Sequence, residues 1–184
     1  MEVNLGAFNP KDGLDRGRIK PVEAIWYILK MIFFLSPLPW PNSLKVHLLR
    51  VFGCKVGKGL VIKPRVNIHF PWKLELGDNV WLGEEVFILN FETIIIGNNV
   101  CISQRVFLCG GNHDYRDYSF KYRNGPISIE DEVWVGAQTF VSPNITIKKQ
   151  CVISAGSIVR ANMPEAMVCS GNPCNPIKPR WANK

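Results

Sequence analysis

The sequence predicts a mainly β protein: a coil of short parallel strands, three to a turn, with a helical extension in front and one loop thrown out of the coil. Two patterns carry that prediction. Aliphatic residues recur at steps of six, as Val56, Ile62 and Ile68, then Leu76, Leu82 and Ile88, then Ile96, Ile102 and Leu108, each triple 20 residues after the last. The count resumes at Ile129, Val135 and Val141 and again at Ile147, Ile153 and Val159, now with 18 residues per triple. All fifteen positions are Val, Ile or Leu. The second pattern is glycine: Gly57, Gly77, Gly97 and Gly136 each directly follow one of these aliphatics.

A six-residue unit is too short for a strand plus a helix, and six is a poor helical period. It fits a short strand and a corner. A further aliphatic often stands four residues after the first, at Leu60, Val66, Val80, Val86, Val100, Val106, Val133 and Ile145. Three units close one turn, turns stack at the strand spacing of about 4.8 Å, and the aliphatic ladder fills the interior. The coil is expected over residues 56–164, with the loop at about 109–128 and a C-terminal tail at 165–184.

Residues 1–55 form the helical extension. "PVEAIWYILKMIFFLSPLPWP" (21–41) opens on a proline suited to a first helical turn and ends in a proline cluster. Its apolar run, Ala24 to Leu35, holds Lys30 and is 12 residues long, short of the roughly 20 that cross a bilayer. The run predicts a buried helix; the alternative is a helix lying on a membrane surface. A second helix begins at Asn42 or Ser43, which can cap it, carries Leu44, Leu48, Val51 and Phe52 on one stripe, and stops at Gly53.

Charge is unevenly spread. Residues 1–73 hold 12 Lys/Arg against 4 Asp/Glu (+8), residues 74–134 hold 4 against 10 (−6), and residues 135–184 hold 6 against 1 (+5). Basic ends around an acidic middle suit anionic ligands. Six cysteines show neither C-x-x-C nor zinc spacing, and the first 20 residues do not resemble a signal peptide. A cytoplasmic setting is expected, with no metal and no nucleic-acid partner.

The third side of each turn is irregular. There Trp72, Glu92 and Asn112 occupy the slot of the second aliphatic, and the third turn breaks into "LCGGNHDYRDYSF" (108–120). Asn90 lies on this side one turn earlier. Loops of this length in a compact repeat tend to be functional, and the histidine in it, His113, has a pKa suited to taking a proton near neutrality.

These residues resemble the hexapeptide-repeat acyltransferases, and more narrowly the colanic-acid-biosynthesis acetyltransferase branch, with galactoside and maltose O-acetyltransferases as relatives. "NFETIIIGNNV", "NHDY", "ISIEDEVWVGAQTFV", "ISAGSIV" and "CSGNPCNPI" carry the resemblance. It implies a left-handed parallel β-helix, a homotrimer with active sites between subunits, and acetyl-CoA as co-substrate with a saccharide acceptor. His113 matches the catalytic base. Asn90 matches a residue near the acceptor; an asparagine bracing a turn is the alternative. Trp134 matches a tryptophan lining the acceptor or pantetheine pocket, with subunit packing as its rival. The Ala137 N–H matches an oxyanion donor. Gly136, Ala155 and Gly156 match the coenzyme A groove, and Arg160 and Lys178 stand where cations would meet its phosphates. The chain departs from the pattern at Arg160-Ala161, where relatives show Thr-Lys, and at Asn175, where they often show Arg.

The reaction so implied is O-acetylation of a sugar by direct attack, since no Ser or Cys stands in a matched position beside His113. N-acetylation of an amino sugar and a non-catalytic trimeric scaffold are the other readings. A zinc enzyme of the γ-carbonic-anhydrase type needs three clustered histidines, and His47, His69 and His113 are spread along the chain.

Overall fold

The computed structural model describes residues 2–181. Seventeen short strands form a three-sided solenoid of about six turns. One face stacks β1 (Lys55–Val56), β4 (Leu74–Leu76), β7 (Ile94–Ile96), β10 (Ile127–Ile129) and β13 (Ile145–Ile147). The second stacks β2 (Val61–Ile62), β5 (Trp81–Leu82), β8 (Cys101–Ile102), β11 (Trp134–Val135) and β14 (Val152–Ile153). The third stacks β3 (Asn67–Ile68), β6 (Phe87–Leu89), β9 (Phe107–Cys109), β12 (Phe140–Val141) and β15 (Ile158–Val159).

The six-residue ladder is the register. Val56 pairs with Leu76, Leu76 with Ile96, Ile96 with Ile129 and Ile129 with Ile147; the other two faces pair the remaining aliphatics in the same way, always in parallel. All of the fifteen except Val56 are buried, as is the whole second series from Leu60 to Ile145. Inward aliphatics from three faces thus fill one continuous core.

The corners explain the glycines. A Cβ placed on Gly77 would lie 2.6 Å from Asn98 Oδ1 and 2.7 Å from the Gly97 carbonyl. The next turn passes too closely for any side chain. At the second corner position the backbone turns left-handed at Asn79, Asn99, Glu132 and Gln150, with φ of 56–61°. Asn tolerates this region best among non-glycine residues, and Asn79 bonds to Asn99 one turn on at 3.0 Å.

The coil's C-terminal end is closed by strands where the sequence suggested a tail. β16 (Met167–Ser170) extends the second face in parallel with β14, and β17 (Asn175–Pro179) folds back antiparallel on β16. The other end is covered by helix α2 (Asn42–Val51). Its buried residues are Lys45 and Leu49, while Val51 is exposed, so the expected stripe through Leu44, Leu48 and Val51 is rotated. Unpaired backbone on β2 decides this. Asn42 accepts from the Ile62 N–H at 2.9 Å and donates to the Leu60 carbonyl, and Lys45 Nζ donates to the Ile62 carbonyl at 3.2 Å. Asn42 therefore completes a sheet edge instead of capping its own helix.

Helix α1 (Lys20–Phe33) corrects the burial expectation. Trp26 faces the coil, its indole N–H shared between the Ile68 and His69 carbonyls at 3.1 and 3.0 Å. Lys30 follows one turn later and is buried with it, while Ile25, Ile28, Met31 and Ile32 are exposed. The anchoring indole fixes which face turns inward, and the aliphatic face is left outside.

Candidate active site

After β9, Gly110 and Gly111 lead the chain out of the third face and residues 112–124 fold back on themselves. The Arg123 N–H donates to the Asn112 carbonyl at 2.8 Å and the Asp114 N–H to Lys121 at 2.9 Å, so the excursion is a tied hairpin. His113 sits at its base, half-buried. Its Nδ1 lies 2.7 Å from the Phe120 carbonyl oxygen. A carbonyl only accepts, so Nδ1 carries the hydrogen and Nε2 is left with a lone pair. The imidazole is stacked on Phe120 (centroids 4.3 Å apart, 8° between planes) and on Tyr122 at 4.8 Å.

Phe8 meets His113 edge-on at 5.4 Å. The Asn4 N–H bonds to Tyr118 at 3.0 Å, and Asn124 donates to Gly13 at 3.0 Å, so the N-terminal segment is laid over the loop. Sequence reading missed this segment, because polar residues without a period give no sign of where they dock.

A cavity of about 790 Å³ lies against the second face and its corner with the third. Trp134, Gly136, Ala137, Ala155 and Lys178 line it together, joined by Arg180. A Cβ on Gly136 would stand 2.6 Å from Ala155 N, which fixes glycine there. The Ala137 carbonyl accepts the Gly156 N–H at 2.8 Å, while the Ala137 N–H has no acceptor among the described residues. Trp134 is 50% exposed, and its indole N–H donates to Ser103 Oγ at 2.9 Å. Arg180 donates to the Glu132 carbonyl at 2.7 Å and the Gln150 carbonyl at 3.1 Å and rests against the Trp181 ring. Arg160 and Gly156 are exposed and lie outside the cavity lining.

Asn90 is fully buried. Its Oδ1 accepts from the Phe70 N–H at 2.9 Å and its Nδ2 donates to the Phe70 carbonyl one turn below. Both ends of the amide brace the corner, the arrangement expected of the bracing alternative.

His113 and the cavity occupy different corners of the prism, the loop between third and first faces, the cavity between second and third. One chain does not bring them together. Cys109, the nearest thiol in the chain, is buried, which pushes its pKa up, and it lies against the Gly111 carbonyl at 3.2 Å. No group of three or more His, Cys, Asp or Glu placed to hold a metal occurs among the described residues.

WcaF of Escherichia coli, by name a colanic acid biosynthesis acetyltransferase, is 37% identical over 180 residues, 96% of this chain and 97% of its own. The chain belongs to the hexapeptide-repeat acetyltransferases. No family profile matches it. Among solved structures, the hexapeptide-repeat acetyltransferase VCA0836 of Vibrio cholerae superposes with a TM-score of 0.81 over 89% of this chain and 93% of that one, at 22% identity. A galactoside acetyltransferase in complex with coenzyme A superposes with a TM-score of 0.78 over 86% of this chain and 80% of that one, at 26% identity. The solenoid is accordingly the left-handed β-helix of hexapeptide-repeat acetyltransferases, and the protein is an acetyltransferase of that family.

Proposed function

We propose that this acetyltransferase transfers acetyl from acetyl-CoA to a hydroxyl of a saccharide, in the biosynthesis of an exopolysaccharide or surface polysaccharide, with His113 as general base. The observation that carries the reading is the His113–Phe120 pair, which holds the proton on Nδ1 and leaves Nε2 open. Nε2 takes the proton of the acceptor hydroxyl as that oxygen attacks the thioester carbon. The C–S bond then breaks, the departing sulfur takes the proton from Nε2, and coenzyme A leaves as its thiol with His113 neutral again. The unengaged Ala137 N–H is suited to the oxyanion that develops between these steps. The cavity beside it takes the pantetheine arm past Gly136 and Ala155, with Trp134 as a wall and Lys178 toward the phosphates. Arg160 remains a candidate phosphate contact from outside that lining.

Separation of base and groove on different corners supports a homotrimer in which one subunit's His113 meets the next subunit's cavity. The exposed aliphatic face of α1, in a segment of net charge +8, supports peripheral contact with an anionic membrane. No helix among the described residues is long and apolar enough to cross one. We place the enzyme in the cytoplasm, at the inner face of the membrane, a position that the liposome test below decides; six unpaired thiols fit a reducing compartment.

The test is thermal unfolding with coenzyme A, acetyl-CoA and ATP. A ligand at 100 times its Kd stabilises by about 2.7 kcal/mol. A rise with coenzyme A but not ATP, followed by acetylation in a screen of sugars, is the expected result. No rise with either thioester or thiol form overturns the reading.

A further inference from the structure

A second cavity, of about 580 Å³, opens beneath the N-terminal segment, on the same corner of the coil as His113 but at its N-terminal end. Four cations line it, Lys11, Arg16, Lys20 and Lys30, against one carboxylate, Glu23, a net of +3. His69 is also on the wall and stays neutral: burial first, then the charges of Lys30 and Arg16, lower its pKa to about 4.

Two groups there are free to meet a ligand. Lys30 is only 5% exposed and makes no hydrogen bond or ion pair among the described residues; its side chain lines the open cavity, with the ammonium 5.3 Å from the centre of the Tyr27 ring. One oxygen of Glu23 is bound by Arg16 at 2.6 Å, while the other, Oε1, is buried with no partner. Seven residues apart on one helix, Glu23 and Lys30 stand about 10 Å from each other. The cavity therefore offers a cation for an anionic group at one pole and an acceptor for a hydroxyl at the other. Phe70 and Trp72, stacked at 5.1 Å, supply an aromatic wall between core and solvent.

The cavity also communicates with the loop. His69 packs on Phe91 at 5.0 Å, Phe91 on Tyr122 at 5.5 Å, and Tyr122 on His113 at 4.8 Å. Asn9, on the cavity wall, directly follows Phe8, which touches His113. Two turns of stacking separate His69 from the His113 level, about 10 Å along the axis, a span a short oligosaccharide covers.

We infer that this cavity binds a phosphoryl group carried by the acceptor, so that the saccharide acetylated at His113 is a phosphosugar, whether free or linked through diphosphate to a lipid. Its place in the reaction rests on the saccharide-acetylating reading; the binding itself does not. The phosphoryl oxygens meet Lys30 and the exposed cations Lys11 and Lys20 at the rim, and a sugar hydroxyl donates to Glu23 Oε1.

Calorimetric titration of the full-length protein without acetyl donor tests it, with glucose, glucose 1-phosphate, and the same sugar on a short polyprenyl diphosphate in mixed micelles. Either phosphorylated probe should bind at least tenfold more tightly than glucose, and the tighter of the two identifies the source. Lys30→Met should remove that preference without lowering the unliganded Tm, because Met keeps the apolar stem and the ammonium it removes makes no hydrogen bond or ion pair among the described residues. Lys11→Gln with Lys20→Gln, at exposed positions, should weaken the phosphorylated probes and leave glucose unchanged. Equal binding of all three probes, or a preference untouched by both sets of substitutions, overturns the inference. Coenzyme A binding that persists in that case leaves the transferase reading standing.

Discussion

The Nδ1 atom of His113 is held 2.7 Å from the carbonyl oxygen of Phe120, seven residues further along the same loop. The loop thus sets the tautomer of its own histidine, and no carboxylate is needed for the purpose. Stacking on Phe120 and Tyr122 fixes the ring plane.

Replacing His113 with Ala should lower kcat by at least about a hundredfold, the low end for loss of a general base. Coenzyme A should still raise the Tm of the variant, because the walls of the groove are made by other residues. Steady-state kinetics beside a thermal shift separate the two effects; unchanged turnover rules out the role.

Ala155→Trp should block the groove. The residue is exposed and lines the cavity, so the unliganded Tm should hold while coenzyme A binding weakens at least tenfold, about 1.4 kcal/mol. Undiminished binding by calorimetry would mean that the pantetheine arm runs elsewhere.

For Asn90 the expected loss is stability. Asn90→Leu strands the buried Phe70 N–H, while the Phe70 carbonyl keeps the Lys73 N–H at 3.0 Å. Denaturant unfolding should show a drop of roughly 1–3 kcal/mol, the cost of one buried unpaired group. A variant as stable as wild type but inactive would instead point to an acceptor contact.

His69 predicts an acid-sensitive fold. Its folded pKa is depressed to about 4 from 6.5, so the unfolded chain binds the extra proton between those values. Stability is therefore retained above pH 6.5 and lost as pH falls toward 4. At 1.36 kcal/mol per unit, the loss reaches about 2 kcal/mol by pH 5. Comparing unfolding of wild type and His69→Asn at pH 7.5 and 5.0 isolates it; equal acid sensitivity in both would place the effect on other groups.

Wild-type protein should sediment with liposomes rich in anionic lipid, and Ile28→Glu with Ile32→Glu should abolish this while keeping the Tm. These side chains are 58% and 46% exposed, so charge on them costs the fold little. No sedimentation of wild type would assign the α1 face to something other than a membrane.

By itself the sequence determined the coil. A six-residue period in aliphatics, with glycine where the next turn crowds in, leaves one way to bury the ladder, and Val56, Leu76, Ile96, Ile129 and Ile147 duly stand in register. The position of His113 in the one long break was legible for the same reason, since a strict period makes its interruption visible. What the tertiary structure alone decided is everything that answers a distant partner. Asn42 reads as a helix cap but serves the unpaired edge of β2, and Lys30 reads as the polar blemish of an apolar helix but points inward, because Trp26 finds the carbonyls of Ile68 and His69. The N-terminal segment folds over the loop through single contacts such as Phe8 on His113. Periodicity records burial repeated many times along the chain; a hydrogen bond or ring contact made once, between residues far apart in sequence, leaves no period to read.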